Sequence, residues 1–253
     1  MAQAIAERVE SLPAISHEGV RRLLRRCRIE WRRAKAWLTS PDPLYAVRKA
    51  RRDRLLAWAR AAPNGAAVWL DQSWFVRWPY RYWSWAAVDD PPRVAQRWSE
   101  DVDRVALYAA LDDETQEPFL RWAAGQPNSE VTVSFLEELM AYWQARGKRF
   151  IVLFWDKAAW HTSGRTRQWI RAYNRQAKAD GLTRLIVCTL PTRSPWLMPL
   201  EPIFGHTKHQ VLGDRQFENI IALQHAVVSA FHQRIPQAKK RRDRTWNRAF
   251  SAA

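Results

Sequence analysis

Apolar and polar positions change rhythm twice along this chain, and the changes divide it into three zones. The first, residues 1 to about 62, has a helical pattern. Ile15, Val20, Leu23, Leu24 and Cys27 recur at helix spacing, and Ser16 stands where an N-cap belongs. Ser40-Pro41-Asp42-Pro43 then breaks the chain. A second basic helix is predicted from about Leu44 to Arg60, ahead of the turn signal Pro63-Asn64-Gly65. From Ala66 to about Leu212, strand and helix patterns alternate. Ala66 to Asp71 is a short apolar run ending in a carboxylate, Tyr80 to Val88 is aromatic-rich and strand-like, and Val102 to Leu111 reads as a third strand. Ser134-Phe135-Leu136-Glu137 predicts a capping box that opens a helix stopping at Gly147. Phe150 to Trp155 is a continuous apolar run leading into Asp156, the pattern of a strand buried on both faces. Ser163 is placed to cap the next helix, which carries Trp169, Ile170, Tyr173 and Ala177 on one side and ends at Gly181. Leu185 to Cys188 is another buried strand, and Pro199 pre-sets a helix with Glu201 in its first turn. The last zone holds an amphipathic helix, Glu218 to Phe231, and a basic tail with Lys239-Lys240-Arg241-Arg242. Three antiparallel-looking strands followed by β-α-β-α describe an α/β fold, a mixed sheet with helices on its faces.

At 253 residues the chain is long enough to bury one full α/β core and carry a smaller module. Charge adds more than size does. Lys and Arg number 41 against 25 Asp and Glu, a net +16, which makes nucleic acid the leading partner. No apolar stretch approaches the roughly 18 to 20 residues that span a bilayer, and the basic residues are spread along the chain, so no membrane partner is expected. Met1 to Glu10 includes Glu7, Arg8 and Glu10 and lacks the apolar core of a signal peptide, which points to the cytoplasm. Cys27 and Cys188 are too few and too distant for a disulfide framework or a structural zinc; both read as small buried hydrophobes in a reducing compartment. Among sixteen tryptophans, Trp83 and Trp85 alternate in a strand-like run, while Trp69 and Trp155 lie near candidate catalytic aspartates. Stacking on bases is one use for them; core and sheet packing is the ordinary one. Arg21, Arg22, Arg25 and Arg26 flank the apolar stripe of the first helix. They suit phosphates or a major groove, or simply a solvated face.

Asp71 and Asp156 each close an apolar strand, and residues at the carboxyl ends of strands in such sheets project into the crevice where ligands bind. Glu201, in the first turn of a later helix, is placed to point into the same crevice. Three carboxylates from separate elements form a hard-oxygen site suited to Mg²⁺ or Mn²⁺. Two such ions can clamp the attacking and leaving oxygens of an in-line displacement at phosphorus. The ordinary alternative is a pair of turn aspartates and a glutamate favoured by a helix dipole. No phosphate-binding P-loop is present.

The residues around the three acids carry a resemblance. Phe154-Trp-Asp-Lys-Ala-Ala-Trp-His161 resembles the second-aspartate motif of mariner-superfamily transposases, particularly their bacterial insertion-sequence branch. There an apolar strand leads into Asp-Asn-Ala with a His close behind. Leu190-Pro-Thr-Arg-Ser-Pro-Trp-Leu-Met-Pro-Leu-Glu201 is similar to the third motif and continues into Pro202-Ile-Phe-Gly-His-Thr-Lys208. Val68-Trp-Leu-Asp-Gln-Ser-Trp-Phe75 is similar to the first. The resemblance implies a ribonuclease-H-like catalytic core and cut-and-paste transposition by a DDE endonuclease. It assigns the metal-ligand role to Asp71, Asp156 and Glu201, and implies a homodimer holding two terminal inverted repeats of double-stranded DNA. His161 is then a metal-ligand orienter, a phosphate contact or a loop-organising hydrogen-bonder; His206 and Lys208 are candidate phosphate contacts.

Ile15-Ser-His-Glu-Gly-Val-Arg-Arg-Leu-Leu24 looks like the recognition helix of that family's second helix-turn-helix, and Ser40-Pro-Asp-Pro43 like the linker after it. Family members carry further helices ahead of this point, so the chain is expected to begin inside the DNA-binding region or to rely on an upstream reading frame. The domain division that follows is 1–62 basic helical region and linker, 63–235 catalytic domain and 236–253 basic tail. Three departures stand out: Lys157 where Asn is usual, Met198 for the Asn of the third motif, and Gln72 for a frequent acid. The interval from Asp156 to Glu201 is also longer than in many relatives. Two readings stay open, a metal-dependent transposase and an inactive relative that only binds DNA. A ribonuclease-H-like nuclease outside transposition is a third.

Overall fold

The computed structural model describes residues 16–27, 39–80, 93, 104–123 and 125–233. The chain divides into two compact units, residues 1–39 and 40–253. In the first, helix α1 (His17–Arg26) opens on Ser16, whose side chain accepts from the Gly19 amide as expected for an N-cap. Arg21 and Arg22 both pair with Glu18 one turn earlier, Arg25 and Arg26 are exposed, and Cys27 is exposed rather than buried.

The second unit runs α2 (Tyr45–Ala61), β1 (Gly65–Val76), β2 (Arg104–Asp112), β3 (Pro118–Trp122), α3 (Ser129–Ala145), β4 (Phe150–Trp155), α4 (Gly164–Asp180), β5 (Arg184–Thr189) and α5 (Leu200–His206). The turns of α5 widen to π geometry over Thr207–Leu212, and a last helix, α6, covers 220–233. The five strands form one sheet in the order β3-β2-β1-β4-β5. β1 pairs antiparallel with β2 and parallel with β4, β2 antiparallel with β3, and β4 parallel with β5. This is the ribonuclease-H-like α/β architecture the motifs imply: an antiparallel half joined to a parallel half, with helices on both faces.

Side-chain alternation sorts the two cores. Ala67, Trp69, Phe75, Val152 and Phe154 point to one face and pack with α2, α5 and α6. Val68, Leu70, Ile151, Leu153 and Trp155 point to the other and pack with α3. Trp69 and Trp155 are thus core residues, 1% and 2% exposed, and Trp69 stacks on Phe154 with ring centres 4.5 Å apart. Gly65 opens β1 where a Cβ would lie 2.5 Å from the Phe150 ring, which itself stacks on Trp58.

Three expectations change. β1 runs five residues beyond Asp71, because the antiparallel partner β2 continues to pair through Val76↔Arg104. The short strand β3 is a hairpin partner that the pattern did not mark: only five residues long, it is half-buried throughout and so lacks alternation. α3 starts at Ser129, not Ser134. Asn128 caps it by accepting from the Glu130 and Val131 amides, and the Ser134 hydroxyl accepts from Arg121 on β3 instead. The strand expected from Tyr80 to Val88 lies, beyond Tyr80, outside the described residues, as do Trp83, Trp85 and the basic tail. Tyr80 itself is not in a strand; its amide donates to the Gly213 carbonyl.

Candidate active site

Pairing between β1 and β4 reaches Trp69↔Phe154. Two residues further on stand Asp71, within β1 on the face of Trp69, and Asp156, just past the end of β4. That face also receives α5, which carries Glu201. α5 is held there by Leu200, Ile203 and Phe204, all buried in the core. The result is a cleft of about 490 Å³ lined by Asp71, Asp156 and Glu201 together with Lys157 and the 190–198 loop. The three acids expected in one crevice line one cleft, although Asp71 stands inside β1 and does not close it.

The acids sense one another. Burial pushes the Asp71 carboxyl up to about 7, the Gln72 amide opposes this, and the charges of Glu201 and Asp156 raise it further, with Lys208 acting the other way. Burial likewise lowers the Lys208 ammonium, offset by the attraction of Glu201 and Asp71. Lys208 lies one to two turns beyond Glu201, half-buried, with its ammonium 5.5 Å from the centre of the Phe75 ring. His206 is half-buried and does not line the cleft.

Oxygen donors in this charge environment fit a hard divalent cation, since a bound cation would offset the burial that chiefly raises the Asp71 carboxyl and the smaller repulsion from its neighbouring acids. Among the described residues, no three His, Cys, Asp or Glu side chains close into a single coordination sphere.

Asp156 is fixed from behind. Burial pushes its carboxyl up, but hydrogen bonds from His161 and from the Ala158 amide outweigh this and leave it below the usual range. His161 is 1% exposed and stacks on Trp155 at 4.5 Å. Its tautomer follows from its neighbours. Trp160 Nε1 can only donate, and it donates to Gln72 Oε1 at 3.1 Å. The Gln72 amide nitrogen therefore faces His161 Nε2, 2.8 Å away, which must accept. That leaves Nδ1–H to donate to Asp156 Oδ1 at 2.8 Å. Gln72, at a position where an acid is frequent, thus sets the direction of a hydrogen-bond chain ending on Asp156. Outer-shell partners of this kind are worth roughly 10- to 100-fold in metal affinity. His161→Ala is accordingly expected to weaken Mn²⁺ binding by about that factor, measured by titration calorimetry on the folded variant; unchanged affinity would limit His161 to a packing role.

Lys157 does not point its charge at the acids. Its ammonium donates to Asp42 at 3.1 Å, and Arg48 lies 3.6 Å from the same carboxylate oxygen. Asp42 also accepts from the Thr192 amide at 2.9 Å and the Leu44 amide at 3.0 Å; these bonds, Thr192 first, hold its carboxyl well below the usual range. Ser40 Oγ donates to the Thr192 carbonyl. The Ser40–Pro43 linker is therefore bolted to both the residue after Asp156 and the loop before Glu201. Sequence reasoning missed Asp42, although Asp ahead of a helix, two residues before an amide it can bind, was a signal for a local turn. Met198 is 4% exposed in the core, so this departure replaces a polar side chain by packing.

A mixed sheet of this order, with one acid in β1, one just past the end of β4 and a third on a facing helix, is a fold of the ribonuclease-H-like class. A family model for the DDE superfamily endonuclease matches residues 66–224, and the chain belongs to that family. Among solved structures, the mariner Mos1 paired end complex with Mg is similar at 17% identity with a TM-score of 0.58, covering 91% of this chain and 69% of that chain. The Mos1 mariner paired end complex with Mn is similar at 16% identity and a TM-score of 0.57, covering 93% of this chain and 75% of that one. A pre-cleavage Mos1 transpososome gives 16% and 0.56, covering 94% and 76%. At such identities the likeness is one of fold. No curated protein matches the chain. Among the described residues, no helix is long and apolar enough to cross a membrane.

Proposed function

We propose that this chain is a transposase of the bacterial insertion-sequence type, which cleaves DNA at the ends of a mobile element and joins the freed 3′-hydroxyl to target DNA. The observation that carries this is the convergence of Asp71, Asp156 and Glu201, from β1, the end of β4 and the start of α5, on one cleft. Membership of the DDE endonuclease family supports it, as does the likeness in fold to paired-end complexes of Mos1 with Mg and with Mn.

On this reading the three acids hold two Mg²⁺ or Mn²⁺ ions. Such ions, when bound, lower the pKa of an attacking water or hydroxyl and stabilise the departing oxygen. The chain's own residues prepare the site. His161 aims one oxygen of Asp156 and fixes its charge, and Asp71 binds a cation once it has lost its proton. Lys208 offsets negative charge when a phosphate enters. Arg21, Arg22, Arg25 and Arg26 on α1, with His206, are assigned to DNA contacts. Residues 63–235 form the catalytic domain, with α2 of the preceding basic region packed onto it. The active species is a homodimer holding two element ends, acting in the bacterial cytoplasm at the nucleoid.

An inactive DNA-binding relative drew its support from Lys157 and Met198. Both residues border the acidic cleft, but the Lys157 ammonium is paired to Asp42 and Met198 packs into the core, so neither sets an unpaired charge against the acids, which favours the active reading. The test is Mn²⁺-supported nicking of a duplex carrying the element's terminal repeat. Nicking that depends on that sequence is expected. Tight binding without nicking would return the inactive reading, and nicking of any duplex equally would leave a general nuclease.

A further inference from the structure

Beside the acidic cleft lies a second depression of about 580 Å³, formed where α2 and α4 overhang the edge strand β5 from opposite faces of the sheet. Its charged lining is wholly basic: Arg48 and Arg51 from α2, Lys157 from the end of β4, Arg167 and Arg171 from α4. Arg167 and Arg171 also line a smaller depression of about 410 Å³, together with Arg175. Lys157 borders both the acidic cleft and the basic groove. The three depressions therefore form one path, with acids at one end and a row of cations running away from them.

Two features set this row apart. Arg167, Arg171 and Arg175 recur at four-residue spacing on α4, so they share one face and advance about 6 Å per step. All three are exposed, as is Arg51. Among the described residues none of these four has a carboxylate partner; Arg54, Arg149, Arg184 and Arg193 are exposed without one too, but they stand singly on different elements, while Arg60 pairs with Asp113, Arg121 with Glu138, Arg146 with Glu117 and Arg165 with Glu130. Unpaired like charges along one helix face repel each other, and a polyanion removes that cost. Arg51 also reaches the Val187 carbonyl at 3.4 Å, covering part of the β5 edge where another strand would pair.

We infer that the α2–β5–α4 groove is a seat for the DNA phosphate backbone, carrying the stretch of strand that flanks the phosphate held in the acidic cleft. This rests on the proposed reading of that cleft. Arg167, Arg171 and Arg175 contact successive phosphates on the far side of Lys157. Their contacts are with phosphates rather than base edges, so they contribute affinity and register and not sequence preference.

The experiment measures binding of the full chain to an element-end duplex by fluorescence anisotropy across a salt series. Two variants of equal charge change are compared: Arg167→Ala/Arg171→Ala/Arg175→Ala in the groove, and Arg121→Ala/Arg146→Ala/Lys148→Ala away from it. Each neutralised phosphate contributes about 0.9 to the slope of log affinity against log salt. The groove variant is expected to lose roughly 2 to 3 from the slope, at about 0.9 per contact, while the control variant matches wild type. Equal slopes for all three proteins, or equal losses in both variants, would overturn the groove. Because the readout is binding, the groove stands or falls separately from nicking. A wild type that fails to nick while the groove variant still loses slope would sink the nuclease reading alone.

Discussion

Asp156→Asn and Glu201→Gln are each expected to reduce cleavage of element-end DNA by about a thousandfold or more, which corresponds to roughly 4 kcal/mol of lost transition-state stabilisation. Neither change should alter DNA affinity by more than about twofold, because affinity resides in phosphate contacts made by cations. The two substitutions act differently. Asn at 156 keeps a group that can accept from His161 and Ala158 but removes the charge, so the hydrogen-bond chain survives and the ligand does not. Gln at 201, on the first turn of α5, touches nothing in the core. Both variants should fold and bind. Nicking assays on a labelled duplex with Mn²⁺ check this, and cleavage within a few fold of wild type in either variant would remove that carboxylate from the site.

Asp71→Asn is expected to do two opposite things: abolish cleavage, and stabilise the metal-free fold. The Asp71 carboxyl sits at about 7 in the folded chain against 3.8 for the free group, chiefly through burial and then through the neighbouring acids. The folded state therefore holds a proton that the unfolded state releases between these two values. Stability from this group is full below the unfolded value, declines as pH rises, and is lost above about 7. The difference corresponds to as much as about 4 kcal/mol at pH 8. Asn has no charge to desolvate. In chelator, Asp71→Asn should therefore melt higher than wild type at pH 8 and close to it at pH 4. Added Mn²⁺ should stabilise wild type by mass action and leave the variant unmoved. Apparent Mn²⁺ affinity of wild type should also fall as pH drops below 7, since the proton competes for the carboxylate. A variant less stable than wild type at pH 8 would show that Asp71 is held by favourable contacts rather than strained for function.

Long apolar runs were the most legible part of the fold. Phe150 to Trp155 buries both faces, so its period cannot be mistaken once its length and the flanking turns are read. Ser163 and Gly181 mark α4 because capping depends on chemistry within one turn. The failures have the same local character. Ser134 and Glu137 spell a capping box, but Asn128 lies upstream and captures the helix start, and a local signal does not reveal which of two competing caps the tertiary contacts select. β3 has too few residues and too little alternation to announce itself. The end of β1 was misplaced because its length is set by β2, a partner across the sheet.

The candidate site divides along the same line. The order and identity of Asp71, Asp156 and Glu201, and the motifs around them, are properties of the chain; the strand end before Asp156 and a first-turn glutamate direct two of them to one crevice, while Asp71 lies within β1, not at its end, and reaches the cleft by its register in the sheet. What Lys157 does was decided in three dimensions. It pairs with Asp42, distant in sequence, because the linker folds back over the loop that precedes Glu201. The role of Gln72 likewise appears only when Trp160 and His161 close a chain of hydrogen bonds around it. The basic groove needs α2, β5 and α4 on opposite sides of a sheet edge before its arginines share a surface. Spacing along a sequence encodes which atoms a residue carries and which face of its own element it occupies. Partners from other elements, and with them charge pairing, desolvation and the direction of hydrogen bonds, exist only once the elements are packed.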